Sequence, residues 1–202
     1  MTNRVRKSVS RWGIVAAVAV VLSPVAASAA TDTKSTTINA TINSVISMTT
    51  SSTVAIAVTP TASGAMSSNS DTVTVSTNNS TGYTLTLANG DTTTNLVSGG
   101  NTIAADAGTQ ASPSSTLTNN RWGYRIVGVG GFGASATSAE TNVANSAYSW
   151  AGVPSSASPN TVKTTGATAS GDVTTVWYGV KADSTKPSGT YSDSVTYTAT
   201  TN

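Results

Sequence analysis

Neither cysteine nor histidine occurs in this chain, phenylalanine occurs once, and only 9% of the residues are charged. Without cysteine there is no disulfide framework, so stability must come from the hydrogen-bonded backbone and a packed core. Losing thiolate and imidazole together removes the commonest nucleophiles, general bases and transition-metal ligands. A Ser-His base is excluded outright, and no G-x-S-x-G elbow is present. The reading is of a non-enzyme with no cofactor and no metal.

Clustered positive charge is also missing once the N-terminus is set aside. Arg4, Arg6, Lys7 and Arg11 fall in the first stretch. The remaining six basic residues (Lys34, Arg121, Arg125, Lys163, Lys181 and Lys186) face eight acids, for a net charge of about −2. Phosphate binding needs a basic face, so nucleic acid is not an expected partner.

That first stretch has the form of a secretory signal peptide over residues 1–29. A basic region ends at Arg11, an apolar run follows from Trp12 to Leu22, and Ser23-Pro24 breaks the helix. Ala27-Ser28-Ala29 supplies the small residues a signal peptidase accepts, placing cleavage between Ala29 and Ala30. The apolar run is shorter than the ~20 residues needed to span a bilayer, so no membrane association is expected after cleavage. The C-terminus carries no apolar tail and no wall-sorting motif. The expected product is secreted, and either free or retained at a cell surface without covalent attachment.

What the remainder has is serine, threonine and period-two alternation. Ser and Thr make up roughly a third of it. From Ile38 to Met48 the even positions are mostly apolar (Ile38, Ala40, Ile42, Ile46, Met48) and the odd ones mostly polar, which predicts a half-buried strand. Val54, Ile56 and Val58 repeat the pattern until Pro60. Val73 and Val75, then Tyr83, Leu85 and Leu87, flank the turn cluster Asn78–Gly82 and predict a hairpin. Further strands are expected around Ile103, over 121–129, over 172–182 and from Tyr191 to Ala199. Residues 98–120 and 128–170 are expected to be mostly long loops. The predicted fold is all-β, an antiparallel β-sandwich of immunoglobulin-like or WxL-like type, forming a single domain over 30–202.

Several constellations carry potential chemistry. Gly128–Gly133 matches G-x-G-x-x-G, but no βαβ context surrounds it, which predicts a flexible loop rather than a dinucleotide site. The acids are scattered through turn-like sequence, and capping is their expected role. Trp122 and Trp177 are expected in the core. Trp150 and Tyr148, in loop-like sequence, are the candidate ligand platform, since flat aromatics cover the apolar faces of sugar rings. Lys163 and Lys181 are candidate donors for a Lys–Asn isopeptide cross-link, which also needs a buried acid beside the pair.

The stretches Val73–Leu87 and Pro187–Ala199 resemble WxL-type bacterial cell-surface domains. Together with Arg121-Trp122-Gly123-Tyr124 and Trp177–Ala182, they also resemble a set of small secreted proteins frequent in ultrasmall candidate-phylum bacteria. The ending is similar to the last strand of spore-coat-U-like pilins. The WxL likeness implies non-covalent binding to peptidoglycan. The positions matching its Trp-x-Leu motifs are Tyr83-Thr84-Leu85 and Tyr197-Thr198-Ala199; both lack the Trp and the second also lacks the Leu.

These readings converge on an extracellular structural or adhesion-type surface protein, in contact with cell wall glycan or a partner's surface protein. Two alternatives stand beside it. One is a polymerising, pilin-like homo-oligomer whose Ile38–Met48 strand completes a neighbour. The other is a carbohydrate-binding module acting through Trp150.

Overall fold

The computed structural model describes residues Ser28–Asn202, and the chain divides into two units, Met1–Thr41 and Ile42–Asn202. The helix expected within residues 1–29 falls on positions outside the described residues. Ala29 and Ala30, the expected cleavage pair, are exposed and belong to no strand or helix.

Among the described residues there are nine strands and no helix: β1 (Ile46–Thr49), β2 (Ala65–Thr77), β3 (Tyr83–Asn89), β4 (Leu96–Ser98), β5 (Asn101–Ala105), β6 (Arg121–Arg125), β7 (Asn160–Thr164), β8 (Ala169–Ala182) and β9 (Val195–Thr201). They form a six-stranded sheet, β1-β2-β8-β6-β5-β4, and a three-stranded sheet, β7-β3-β9. Every pair is antiparallel except β5 with β6. The long β2–β8 pair, running from Ala65↔Ala182 to Thr77↔Ala169, is the spine.

Alternation explains how the sheets meet. Val73 and Val75 of β2 and Val176 and Tyr178 of β8 share one buried cluster with Tyr83, Leu85 and Leu87 of β3 and Val162 of β7. Burying each such aliphatic side chain is worth about 1.5–3 kcal/mol. The intervening positions, such as Thr84, Thr86 and Val173, remain partly or fully exposed.

The expected hairpin does not form. Although β2 and β3 are consecutive, they lie in different sheets, because a hairpin would set their apolar faces side by side instead of against one another. The Asn78–Gly82 turn makes the crossing. Gly82 N donates to Asn79 O at 3.0 Å with Gly82 at φ 82°, and a Cβ there would sit 2.3 Å from the Thr165 carbonyl oxygen. Only glycine fits.

The strand expected over Ile38–Met48 is reduced to Ile46–Thr49. Ile46 pairs with Thr77, the last residue of β2, so the residues before it have no neighbouring strand. Ile38 and Ile42 are consequently 83% and 86% exposed. Val54, Ile56 and Val58 are half-buried, the first two against the main cluster, yet residues 51–60 belong to no strand. Within the stretch expected as loop, β7 is an unanticipated strand.

Candidate functional site

The structure overturns the proposed Trp150 platform. Trp150 is fully buried, in a second cluster with Met66 and Leu117 on the opposite face of the six-stranded sheet. Segment 143–151 is stitched to β2 and β6, the strands flanking β8: Met66 and Val143 exchange backbone hydrogen bonds, and so do Tyr124 and Ala151. The indole lies on Gly179, where a Cβ would come within 3.0 Å of two of its ring carbons. Its Nε1 donates to Ser146 Oγ at 2.8 Å, leaving no polar edge for a ligand. Tyr148 is half-buried and committed too: its ring lies 5.1 Å from the Arg125 guanidinium carbon, and its hydroxyl bonds Ser138. The signal for this packing was present in sequence as Gly123 and Gly179, since glycine inside a strand marks a close approach.

The G-x-G-x-x-G segment is likewise structural. Gly128 N donates to Gly133 O at 2.8 Å, closing a loop whose Phe132 is buried edge-on against Tyr124. The loop satisfies Arg125, which is 1% exposed and donates to Phe132 O, Ser135 O and Thr137 Oγ1. Burial lowers the pKa of this guanidinium, and the nearby Tyr148 opposes that shift. Sequence reading missed this buried cation because it sits among apparent strand and loop residues with no acidic neighbour.

All eight acids have structural partners. Asp32 pairs with Lys34; Asp91, Asp106 and Asp183 accept backbone amides two residues on; Glu140 holds Ser146 and Ala147. Asp172 lies 2.6 Å from Lys163 Nζ and accepts the Tyr83 hydroxyl at 2.8 Å. Burial raises its pKa, but the Lys163 and Tyr83 hydrogen bonds outweigh this and hold it below the usual carboxylate range. The same burial and the Asp172 charge push the Tyr83 phenol up. Of the two candidate cross-link donors, Lys163 is taken by this ion pair. Lys181 is buried and donates to Asn145 Oδ1 at 3.2 Å, with no carboxylate within salt-bridge distance among the described residues.

The feature that stands open is a groove of about 570 Å³ on the face of the six-stranded sheet that carries the main cluster. Trp122, Tyr178 and Val180, neighbours on β6 and β8, line it together with Leu96. Segment 50–56 and segment 190–195 with Tyr197 complete the lining. A second hollow of about 350 Å³ shares Ile56, Leu96, Val180 and Tyr191 with it and continues toward Pro60 and Pro187.

Asp71 anchors the polar end of this groove. Its carboxylate accepts the Thr50 hydroxyl, Ser51 N at 3.0 Å and Thr72 N at 2.7 Å. Burial raises its pKa, yet these donors prevail and the group stays below the usual range. The Tyr178 and Tyr197 hydroxyls share a 2.6 Å hydrogen bond beside it, and burial drives both phenols up. Asp193 is raised, mainly by burial. Sequence reading did not single out Asp71, although the run Asp71, Val73, Val75 places an acid in step with two core valines.

The outward face of the three-stranded sheet is a different kind of surface. Thr84 is in register with Thr164 and Thr200, and Thr86 with Thr161 and Thr198. Their inward neighbours Leu85, Val162 and Ala199 belong to the main cluster or pack against it. Six threonines thus share one face, with strands about 4.8 Å apart; the threonines are alternate residues, about 6.7 Å apart, along β3 and β9, while on β7 Thr161 and Thr164 are three residues apart across a bulge.

Compared with known proteins, the chain matches no family model, no curated protein and no solved structure.

Proposed function

We propose that this chain is a secreted, non-catalytic β-sandwich of structural or adhesion type, retained at a bacterial surface through contact with wall glycan or a partner cell's coat. The observation that carries the reading is the six-threonine face of β7, β3 and β9. The Thr84 and Thr86 hydroxyls donate to Asn202 Oδ1 and Thr198 O and keep their acceptor lone pairs, while the threonines of β7 and β9 add donors and acceptors with little charge, which suits a neutral, hydroxyl-rich polymer better than a charged one. Two sheets sharing one buried cluster support the sandwich assignment. The engagement of all eight carboxylates in ion pairs, turns and networks supports a non-catalytic role.

The test is co-sedimentation with purified peptidoglycan and with intact cells. Thr86→Lys with Thr198→Lys places bulk and charge at the centre of the face while leaving the inward residues alone. Retention should drop at least tenfold with the melting temperature held within about 2 °C. If the parent protein sediments with neither material, or the double variant is retained as well as the parent, the reading fails.

A further inference from the structure

Six large apolar residues stand exposed among the described residues, and Ile38, Ile42 and Val45, at 83%, 86% and 63%, are the three most exposed of them. They fall in one segment, and every residue from Ser28 to Val45 is exposed and outside any strand. The segment is nonetheless built for a strand. Ile38, Ala40 and Ile42 alternate with Asn39, Thr41 and Asn43, with no proline and no charge across 38–45. In its own chain it is tied at the far end of β2, where Asn78 accepts from Val45 N and donates to Asn43 O.

The groove has the complementary deficit. β9 ends the three-stranded sheet, so one of its edges is hydrogen-bonded to no strand, although β1 lies near part of it. Segment 51–60 takes part in no backbone–backbone hydrogen bond among the described residues, although Val54 and Ile56 point at the core. Between them lie Trp122, Tyr178 and Val180, an apolar floor with room above it. An unpaired edge beside an apolar hollow is what an added strand satisfies: the ladder supplies affinity, and alternate side chains fill the hollow.

We propose that this groove takes residues 38–45 of a second copy of this chain as an added strand beside β9. The eight residues match the seven of β9 in length, and Ile38, Ala40 and Ile42 supply the inward face. An uncharged segment also meets no repulsion from Asp71 or Asp193 at the rim. The arrangement is head-to-tail, because the donated segment and the receiving groove are different surfaces, and such a contact builds chains unless rotation closes it into a ring.

Light scattering coupled to size-exclusion chromatography, run on the full chain over a hundredfold concentration range, tests this. The parent should show mass rising with concentration. Ile38→Asp with Ile42→Asp should be monomeric at every concentration, with an unchanged melting temperature because both positions are exposed. A synthetic peptide of residues 36–47 should bind that variant one to one, at least tenfold more tightly than the same peptide carrying both aspartates, and should shorten the parent's assemblies. A parent that is monomeric throughout, assemblies that survive both substitutions, or a groove that binds oligosaccharide but not the peptide would each overturn the proposal. None of these results bears on the threonine face, which lies on the other side of β9.

Discussion

At the scale of single residues, burial and hydrogen bonding sort the side chains into those that fix the fold and those that cost it. Trp150 is the strongest case of the first kind. Trp150→Ala removes an indole enclosed by Met66, Leu117 and Gly179, and should lower stability by about 3–5 kcal/mol in denaturant titration. A loss under 1 kcal/mol would contradict its place in the second cluster. Thr174 is of the opposite kind: it is buried opposite Val73, and its Oγ1 is the one buried side-chain polar atom among the described residues without a partner. Thr174→Val keeps the shape and removes the unsatisfied hydroxyl, so stability should rise by about 1 kcal/mol, seen as a higher unfolding midpoint with the slope unchanged. Asp172 sets a pH dependence. Its folded pKa lies below its unfolded value near 4, so its contribution is present above that value and is lost as pH falls through the depressed folded pKa. Asp172→Asn should therefore be less stable than the parent by about 1–2 kcal/mol at pH 7, with the gap closing as pH falls through the depressed folded pKa. A gap independent of pH would assign the loss to packing instead of charge.

At the scale of elements, what sequence alternation revealed was which residues point inward, not which strand stands beside which. Tyr83, Leu85 and Leu87 and Val176 and Tyr178 are buried as their period implied. The partnering failed where alternation carries no address: β2 and β3 read as a hairpin and are in separate sheets, and 38–48 reads as a strand but pairs only from Ile46 onward. β7 and the Trp150 segment were illegible for another reason. β7 is ordered by pairing with β3 across a bulge, and the Trp150 segment by bridges to Met66 and Tyr124 and packing on Gly179, contacts that have no local period. The groove was hidden similarly, since its lining comes from segments far apart in sequence. The exposed N-terminal element should behave accordingly in proteolysis. Lys34 is 84% exposed, whereas Lys163 is 29% exposed and Lys181 buried. Brief trypsin treatment should therefore leave a fragment beginning at Ser35 whose melting temperature equals that of the uncut chain. Early cleavage after Lys163 or Lys181 instead would mean that the sheets open before the N-terminal segment is cut.

At the scale of the whole molecule, the question is whether two clusters on opposite faces of one sheet make one cooperative unit or two. β2 and β8 answer it physically, because each strand lends alternate residues to both clusters. Met66 and Val73 both belong to β2, one in each cluster, while Val176 and Tyr178 face the main cluster and Trp177 and Gly179 meet the second. Melting the second cluster releases the bridges at Met66 and Tyr124 and uncovers one whole face of the spine. Melting the main cluster removes the three-stranded sheet's only apolar cover. Neither can persist alone without exposing the same β2–β8 ladder, so Ile42–Asn202 should unfold in a single step. Far-ultraviolet and near-ultraviolet circular dichroism should then trace coincident urea transitions, the first reporting strands and the second the packed tryptophans and tyrosines. Trp150→Ala should move both midpoints together toward lower urea. A variant whose near-ultraviolet signal is lost first, with strand signal surviving to a second transition, would show that the layer carrying Trp150 is a separable attachment and not part of the core that holds the sheets together.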